Sequence, residues 1–120
     1  MFMGPFFFPK IERLLNSKDF VNLNRLGKRH HAAHFTLIFA ENGLGISRLG
    51  ITVTRKIGNA VTRNKVKRAI REFYRLNKGL FPPGYDIVFT ARRGAGNLHS
   101  RRIKEELGAL LLDKKLPVSS

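Results

Sequence analysis

The chain has no cysteine and no tryptophan, and only 8 of its 120 residues are acidic. Without cysteine there is neither a disulfide framework nor a thiolate metal site, which fits a reducing compartment, the cytoplasm. With so few carboxylates, a nuclease or phosphotransferase that holds its own metal lacks the side chains for the task. Only Glu105 and Glu106 share a segment, and neighbours on a helix point to different sides. No run approaches the roughly 20 apolar residues that a membrane-spanning helix needs. No GxxxxGK[ST] phosphate loop occurs. The apolar residues 1–9 (MFMGPFFFP) are broken by Gly4, Pro5 and Pro9 and too short for a secretory signal, so residues 1–10 are expected to form an irregular tail.

What is present is positive charge. Lys and Arg number 23, giving a formal charge of +15 and an isoelectric point near 11.4. Such a chain repels itself and is expected to be most compact beside a polyanion or in salt. Its length and 42% hydrophobic content suffice for one domain that buries about two thirds of its unfolded surface. The charge is concentrated in one stretch, where Arg55, Lys56, Arg63, Lys65, Lys67, Arg68, Arg71, Arg75 and Lys78 face a single carboxylate, Glu72. On a helix starting near Ala60, the residues Val66, Ala69, Ile70, Phe73 and Leu76 fall on one apolar stripe. Arg63, Asn64, Lys67, Arg71, Arg75 and Lys78 are expected on the opposite side, with Arg68 and Lys65 at its margin. Like charges at i, i+4, such as Lys67 and Arg71, cost a few tenths of a kcal/mol each. A face that repels itself fits phosphate binding better than mere solubility.

Along the chain, Asn16 or Ser17 caps a helix expected over residues 18–26, with Gly27 as its stop. Residues 28–31 read as a basic loop with room for a short strand. Residues 34–40 (HFTLIFA) alternate Phe35, Leu37 and Phe39 against Thr36 and Ile38, a strand pattern. The Asn42-Gly43 connection suits a hairpin to a return strand over residues 48–54. Pro82-Pro83 stops the basic helix, residues 85–91 (YDIVFTA) form another strand, and a basic loop leads to a last helix over residues 98–112, with Ile103, Leu107, Leu110 and Leu111 on its apolar stripe. The order is that of a single-domain α+β protein spanning residues 11–113, with 114–120 as a tail. His30, His31 and His34 form the only histidine cluster. With no acidic or cysteine companion close in sequence, they read as phosphate or base contacts in a basic loop, and no metal site is expected.

The run KIGNAVTRNKVKRAIR from Lys56 to Arg71 resembles the signature of the bacterial ribonuclease P protein subunit family. It matches at Lys56, Gly58, Ala60, Val61, Arg63, Asn64, Lys67, Arg68 and Arg71. The likeness extends to Arg13-Leu14, Asp19-Phe20, the FTLIF strand and Ala91-Arg92. Lys65 departs from the arginine usual there, keeping the charge without the guanidinium fork. Asn24 stands where many relatives have an aromatic, and Ile38 where some have tyrosine.

The resemblance implies an αβββαβα fold with a mostly antiparallel central sheet, a left-handed βαβ crossover and a kinship with ribosomal-protein domains. It implies a monomer, bound one to one to a catalytic RNA, that assists removal of the 5′ leader from precursor tRNA. Hydrolysis would belong to the RNA and its Mg²⁺, with no cofactor bound by the protein alone. Contacts to the catalytic RNA would come from Arg55, Lys56, Asn59, Arg63, Asn64, Lys65, Lys67, Arg68 and Arg71. A groove lined by Phe20, Thr36, Ile38 and Thr52, with Lys18 and Lys56 at its rim, would take the unpaired leader by stacking beside cations. His30, His31, Arg92 and Arg93 are further expected RNA contacts. The alternative is a ribosomal-type structural RNA-binding protein with no role in a reaction. A general binder of nucleic acid or acidic membranes fits less well, because the charge is focused on one motif.

Overall fold

Apolar alternation builds a sheet from four short strands. A computed structural model describes Leu23, Arg25 and residues 27–113. It contains strands β1 (Lys28–His31), β2 (Phe35–Glu41) and β3 (Arg48–Thr52), helix α1 (Ala60–Leu76), strand β4 (Tyr85–Ala91) and helix α2 (Ser100–Asp113). Three 3₁₀ turns, Arg55–Ile57, Lys78–Leu80 and Ala95–Asn97, punctuate the connections. Of the helix expected over 18–26, Leu23 and Arg25 are helical, and the rest lies outside the described residues, as do both expected tails.

The strand order is β1-β2-β4-β3, with β1/β2 and β2/β4 antiparallel and β3/β4 parallel. The hairpin expected between β2 and β3 is therefore not formed, because β4 lies between them. Composition explains the choice of central strand. β4 carries a nearly continuous apolar run, with Ile87, Val88 and Phe89 at 0%, 3% and 0% exposure, as a strand covered on both faces requires. β3, with Gly50 and Thr52, is the poorer strand and takes the edge. The basic segment 28–31 is a strand paired along its length with β2.

The 41–47 connection is held by side chains instead of by a hairpin ladder. Asn42 accepts from the Leu44 N–H (2.8 Å) and donates to Asp86 Oδ1 (2.9 Å) and to the Ile46 carbonyl (3.0 Å). Arg48 forks onto the same buried carboxylate, Nε to Oδ1 at 2.8 Å and the terminal nitrogen to Oδ2 at 2.7 Å. Asp86 is thus buried with its charge paired, the condition under which a buried carboxylate is tolerated.

One sheet face packs on both helices. Phe35, Leu37, Phe39, Ile87 and Phe89 meet Val66, Ile70 and Phe73 of α1 and Ile103 and Leu107 of α2 in one core. Phe73, Phe81 and Phe89 sit edge to face with one another at centroid distances of 6.3–6.5 Å, which pins the far end of α1. The other face carries a smaller cluster, in which Leu23 covers Ile38 and Val88.

Candidate nucleic-acid interface

Helix α1 starts where Asn59, in extended conformation, accepts the Thr62 N–H on its side chain at 2.9 Å. It ends at Asn77, whose N–H reaches the Phe73 and Tyr74 carbonyls. Its buried stripe is Val66, Ala69, Ile70, Phe73 and Tyr74. Two expectations about this helix are corrected. Leu76 is 47% exposed, and Tyr74 takes the inward place instead at 3%. Arg63 is on the inward flank, not the outer one, because it lies three residues before Val66 and seven before Ile70 on the same helical row. Its Nε is buried without a hydrogen-bond partner.

What remains outside is a continuous row of Asn64, Arg68, Arg71 and Arg75, all exposed, spanning about 16 Å of helix. None of the three arginines pairs with a carboxylate among the described residues. Exposed Arg55, Lys56 and Asn59 flank the row at the start of α1, and Lys67 is half-buried beside it. The one carboxylate of the helix, Glu72, is bound by Lys104 of α2. That hydrogen bond, with the charges of Lys104, Arg75 and Arg68, holds the Glu72 carboxyl below its ordinary value against an opposing effect of burial. The row therefore presents cations whose nearest negative charge is already spent.

Lys65 is diverted from this row. Its ammonium donates to the carbonyls of Gly96 (2.9 Å) and Leu98 (2.8 Å), tying α1 to the turn that opens α2. A lysine, with its flexible stem and point charge, can gather two carbonyls in this way. The turn lies so close that a Cβ on Gly96 would sit 2.5 Å from the Ile57 carbonyl oxygen.

On the second sheet face, register aligns His31, Thr36, Thr90 and Thr52 across all four strands. Thr36 is buried, 3.1 Å from His31 Nδ1 through its hydroxyl, while Thr52 and Thr90 are half-buried. Ile38, expected to line a groove here, is instead 2% exposed beneath Leu23, so it supports the floor and offers no open surface. Lys56 is exposed; Phe20 and Lys18 lie outside the described residues. Thr90 escaped the sequence reading, although it shares the strand parity of Val88, opposite Phe89. The adjacent histidines split. His31 joins the threonine row, whereas the His30 ring lies 5.2 Å from Phe39 on the core side. Arg92 and Arg93 are exposed, with Arg92 also donating to the Ala32 carbonyl at 2.7 Å.

Among the described residues no three His, Asp or Glu side chains come together as a metal cage, and no helix is long and apolar enough to cross a membrane. An α+β domain bearing an unneutralised cationic helix row and a hydroxyl-lined second sheet face has the features of the nucleic-acid-binding class.

Comparison with known proteins narrows that class. The family model described as Ribonuclease P matches residues 8–115. The ribonuclease P protein component of Syntrophus aciditrophicus is 45% identical over 102 residues, covering 85% of this chain and 86% of the relative. That of Thermotoga maritima is 46% identical over 86 residues, covering 72% and 74%. The solved Staphylococcus aureus RNase P protein superposes with a TM-score of 0.82 at 33% identity, covering 87% of this chain and 95% of that one. For the Thermotoga maritima protein the TM-score is 0.78 at 38% identity, with coverage of 88% and 99%. The chain belongs to the bacterial ribonuclease P protein family, the protein subunits of a tRNA-processing ribonucleoprotein.

Proposed function

We propose that this chain, as a cytoplasmic monomer, binds ribonuclease P RNA one to one and steadies the 5′ leader of precursor tRNA while the RNA performs Mg²⁺-dependent hydrolysis. The carrying observation is the exposed row Asn64, Arg68, Arg71 and Arg75, cationic and without a carboxylate partner among the described residues. Charge on a rigid helix fixes the register of a folded RNA without reading its sequence. Arg55, Lys56 and Asn59 extend the grip at the start of α1. Arg63 and Lys65 act from beneath, Lys65 by fixing the helix against the Gly96–Leu98 carbonyls.

The leader lies along the threonine row, where half-buried Thr90 and Thr52 supply hydroxyls, His31 closes one end over buried Thr36, and Lys56 with Lys18 offers charge. Phe20 supplies the stacking surface. Magnesium belongs to the RNA in this reading.

The test is reconstitution. The chain is mixed with a bacterial ribonuclease P RNA at low Mg²⁺, and cleavage of a precursor tRNA is followed. Stimulated cutting at the mature 5′ end is the expected result. RNA binding without stimulation would leave a structural RNA-binding protein and overturn the proposal.

A further inference from the structure

Two grooves flank the last turns of α1. The first lies toward α2, between Phe73 and Leu76 on one side and Lys104 and Glu105 on the other. Its charge is mixed, because Lys104 is bound to Glu72 and Glu105 stands exposed. The second lies on the other flank, against the 41–47 connection and the 3₁₀ turn Lys78–Leu80, and has a volume of about 390 Å³. Buried Tyr74 and Phe81 form its floor, exposed Ile46 and Pro83 its sides, and Lys78 and Gly79 complete the rim. No carboxylate among the described residues lines it, so the one formal charge of its lining is positive.

This second groove is built before anything enters it. The Tyr74 and Phe81 rings pack at a centroid distance of 4.8 Å. The Tyr74 hydroxyl reaches to 3.5 Å from the Ser47 carbonyl, and the Ser47 hydroxyl accepts the Tyr85 N–H at 3.3 Å while donating to the Pro82 carbonyl. Asn42 holds the Ile46 carbonyl, so the wall on that side is fixed as well. A site already ordered loses little freedom on binding. Its mouth is nevertheless apolar and wet. Ile46 is 36% exposed, and Leu44, two residues before it, and Leu80, next to Gly79, are exposed at 54% and 36%. A Cβ on Gly79 would meet nothing within 4 Å, which leaves that side of the groove open. Exposed apolar groups gathered at a concave, polar-rimmed site mark a place where something docks.

Charge and continuity select the occupant. Tyr74 stands three residues after Arg71 and beside Arg75 in the helix, so the groove and the arginine row share an edge. An apolar peptide would fill the groove and leave those cations unused. A nucleotide uses both, since single-stranded RNA is held by apolar or aromatic surface for its bases beside cations for its phosphates. We propose that this groove takes an unpaired nucleobase of the RNA held by the helix row, the base against Ile46 and Pro83 and its flanking phosphates on Arg71 and Arg75. The inference rests on the RNA-binding reading given above and extends it from a grip on phosphate to a contact with a base. The groove lies on the helix side of the sheet, apart from the threonine row, because Phe81 packs with Phe73 and Phe89. A base contact releases no counterions, so its loss weakens binding without changing the salt dependence that the arginines set.

The experiment measures binding of the full chain to a bacterial ribonuclease P RNA across a salt series, for the wild type, Ile46→Ser and Ile46→Trp, with thermal midpoints checked for all three. Serine removes the apolar side chain and keeps the carbonyl that Asn42 holds. Ile46→Ser should bind more weakly by about fivefold, the lower end for one base contact, with the slope of log K against log salt unchanged. The chain has no tryptophan of its own, so the fluorescence of Ile46→Trp reports on the groove alone. Saturating RNA should quench it. Should Ile46→Ser fail to fold, the quenching decides. Unchanged affinity of a folded Ile46→Ser, or a tryptophan signal blind to saturating RNA, would overturn this site alone. Light scattering of the protein without RNA reads the rival occupant: self-association of the wild type that Ile46→Ser abolishes would give the groove to a second copy and overturn the proposal. Absence of RNA binding by the wild type would overturn the RNA-binding reading as well.

Discussion

Lys65 and Arg68 stand one helical turn apart in the same basic motif, yet the structure gives them different work. The perturbation is Lys65→Met, which keeps the apolar stem and removes the ammonium. Two hydrogen bonds from a charged donor to the Gly96 and Leu98 carbonyls are lost. Such bonds contribute about 1.5 kcal/mol or more each when buried. Lys65 is only half-buried and water can replace part of the interaction, so about 2 kcal/mol in total is the expected loss. For a domain near this size that lowers the thermal midpoint by roughly 6–12 °C. The ammonium is occupied by carbonyls, so the salt dependence of RNA binding should hardly change. Arg68→Ala should do the reverse, lowering the slope of log K against log salt by about 0.7 to 0.9 with little change in midpoint. Differential scanning fluorimetry and filter binding across a salt series read both quantities. A Lys65→Met protein with an unchanged midpoint and a slope reduced like that of Arg68→Ala would refute the reasoning.

Two glycines near helix α2 should respond oppositely to alanine. Gly96→Ala would force a Cβ to 2.5 Å from the Ile57 carbonyl oxygen and should destabilise by about 1–3 kcal/mol. Gly108→Ala, whose Cβ would meet Phe73 at an ordinary 3.7 Å, should stabilise by about 0.5–1 kcal/mol in chemical denaturation. Thr90→Val should weaken binding of leader-bearing precursor tRNA more than of leaderless tRNA in competition assays, and equal effects would remove the threonine row from the leader path. The lowered Glu72 carboxyl means its pair with Lys104 contributes fully above about pH 4.5, the ordinary value, and is lost as pH falls through the lowered one. Wild type should therefore exceed Glu72→Gln in stability at pH 7, with the gap closing in acid; a gap that widens in acid would contradict the pairing.

Helix α1 was legible because its signals are local: Asn59 as cap, a 3.6-residue apolar period, and like charges that no nearby carboxylate offsets. The strands were legible from alternation, but their pairing was not. Asn42-Gly43 suggests a hairpin, whereas the partner that displaces β3 from β2 lies some 40 residues on and is chosen by its two apolar faces. The inward turn of Arg63 follows from its row with Val66 and Ile70, yet a charged side chain invites placement on the opposite side. Ile38 has the right parity for an open face, and only the docking of Leu23 decides that it is covered. The His34–Glu106 pairing joins residues 72 positions apart, beyond any periodic pattern.

The most direct test replaces Arg68, Arg71 and Arg75 together with glutamine and measures the salt dependence of binding to ribonuclease P RNA. With three phosphate contacts removed, the slope should shrink by about 2 to 3 units, stimulation of precursor tRNA cleavage should fall with it, and the thermal midpoint should hold or rise as like charges are relieved. An unchanged slope in a folded triple variant would show that this helix row does not face the RNA.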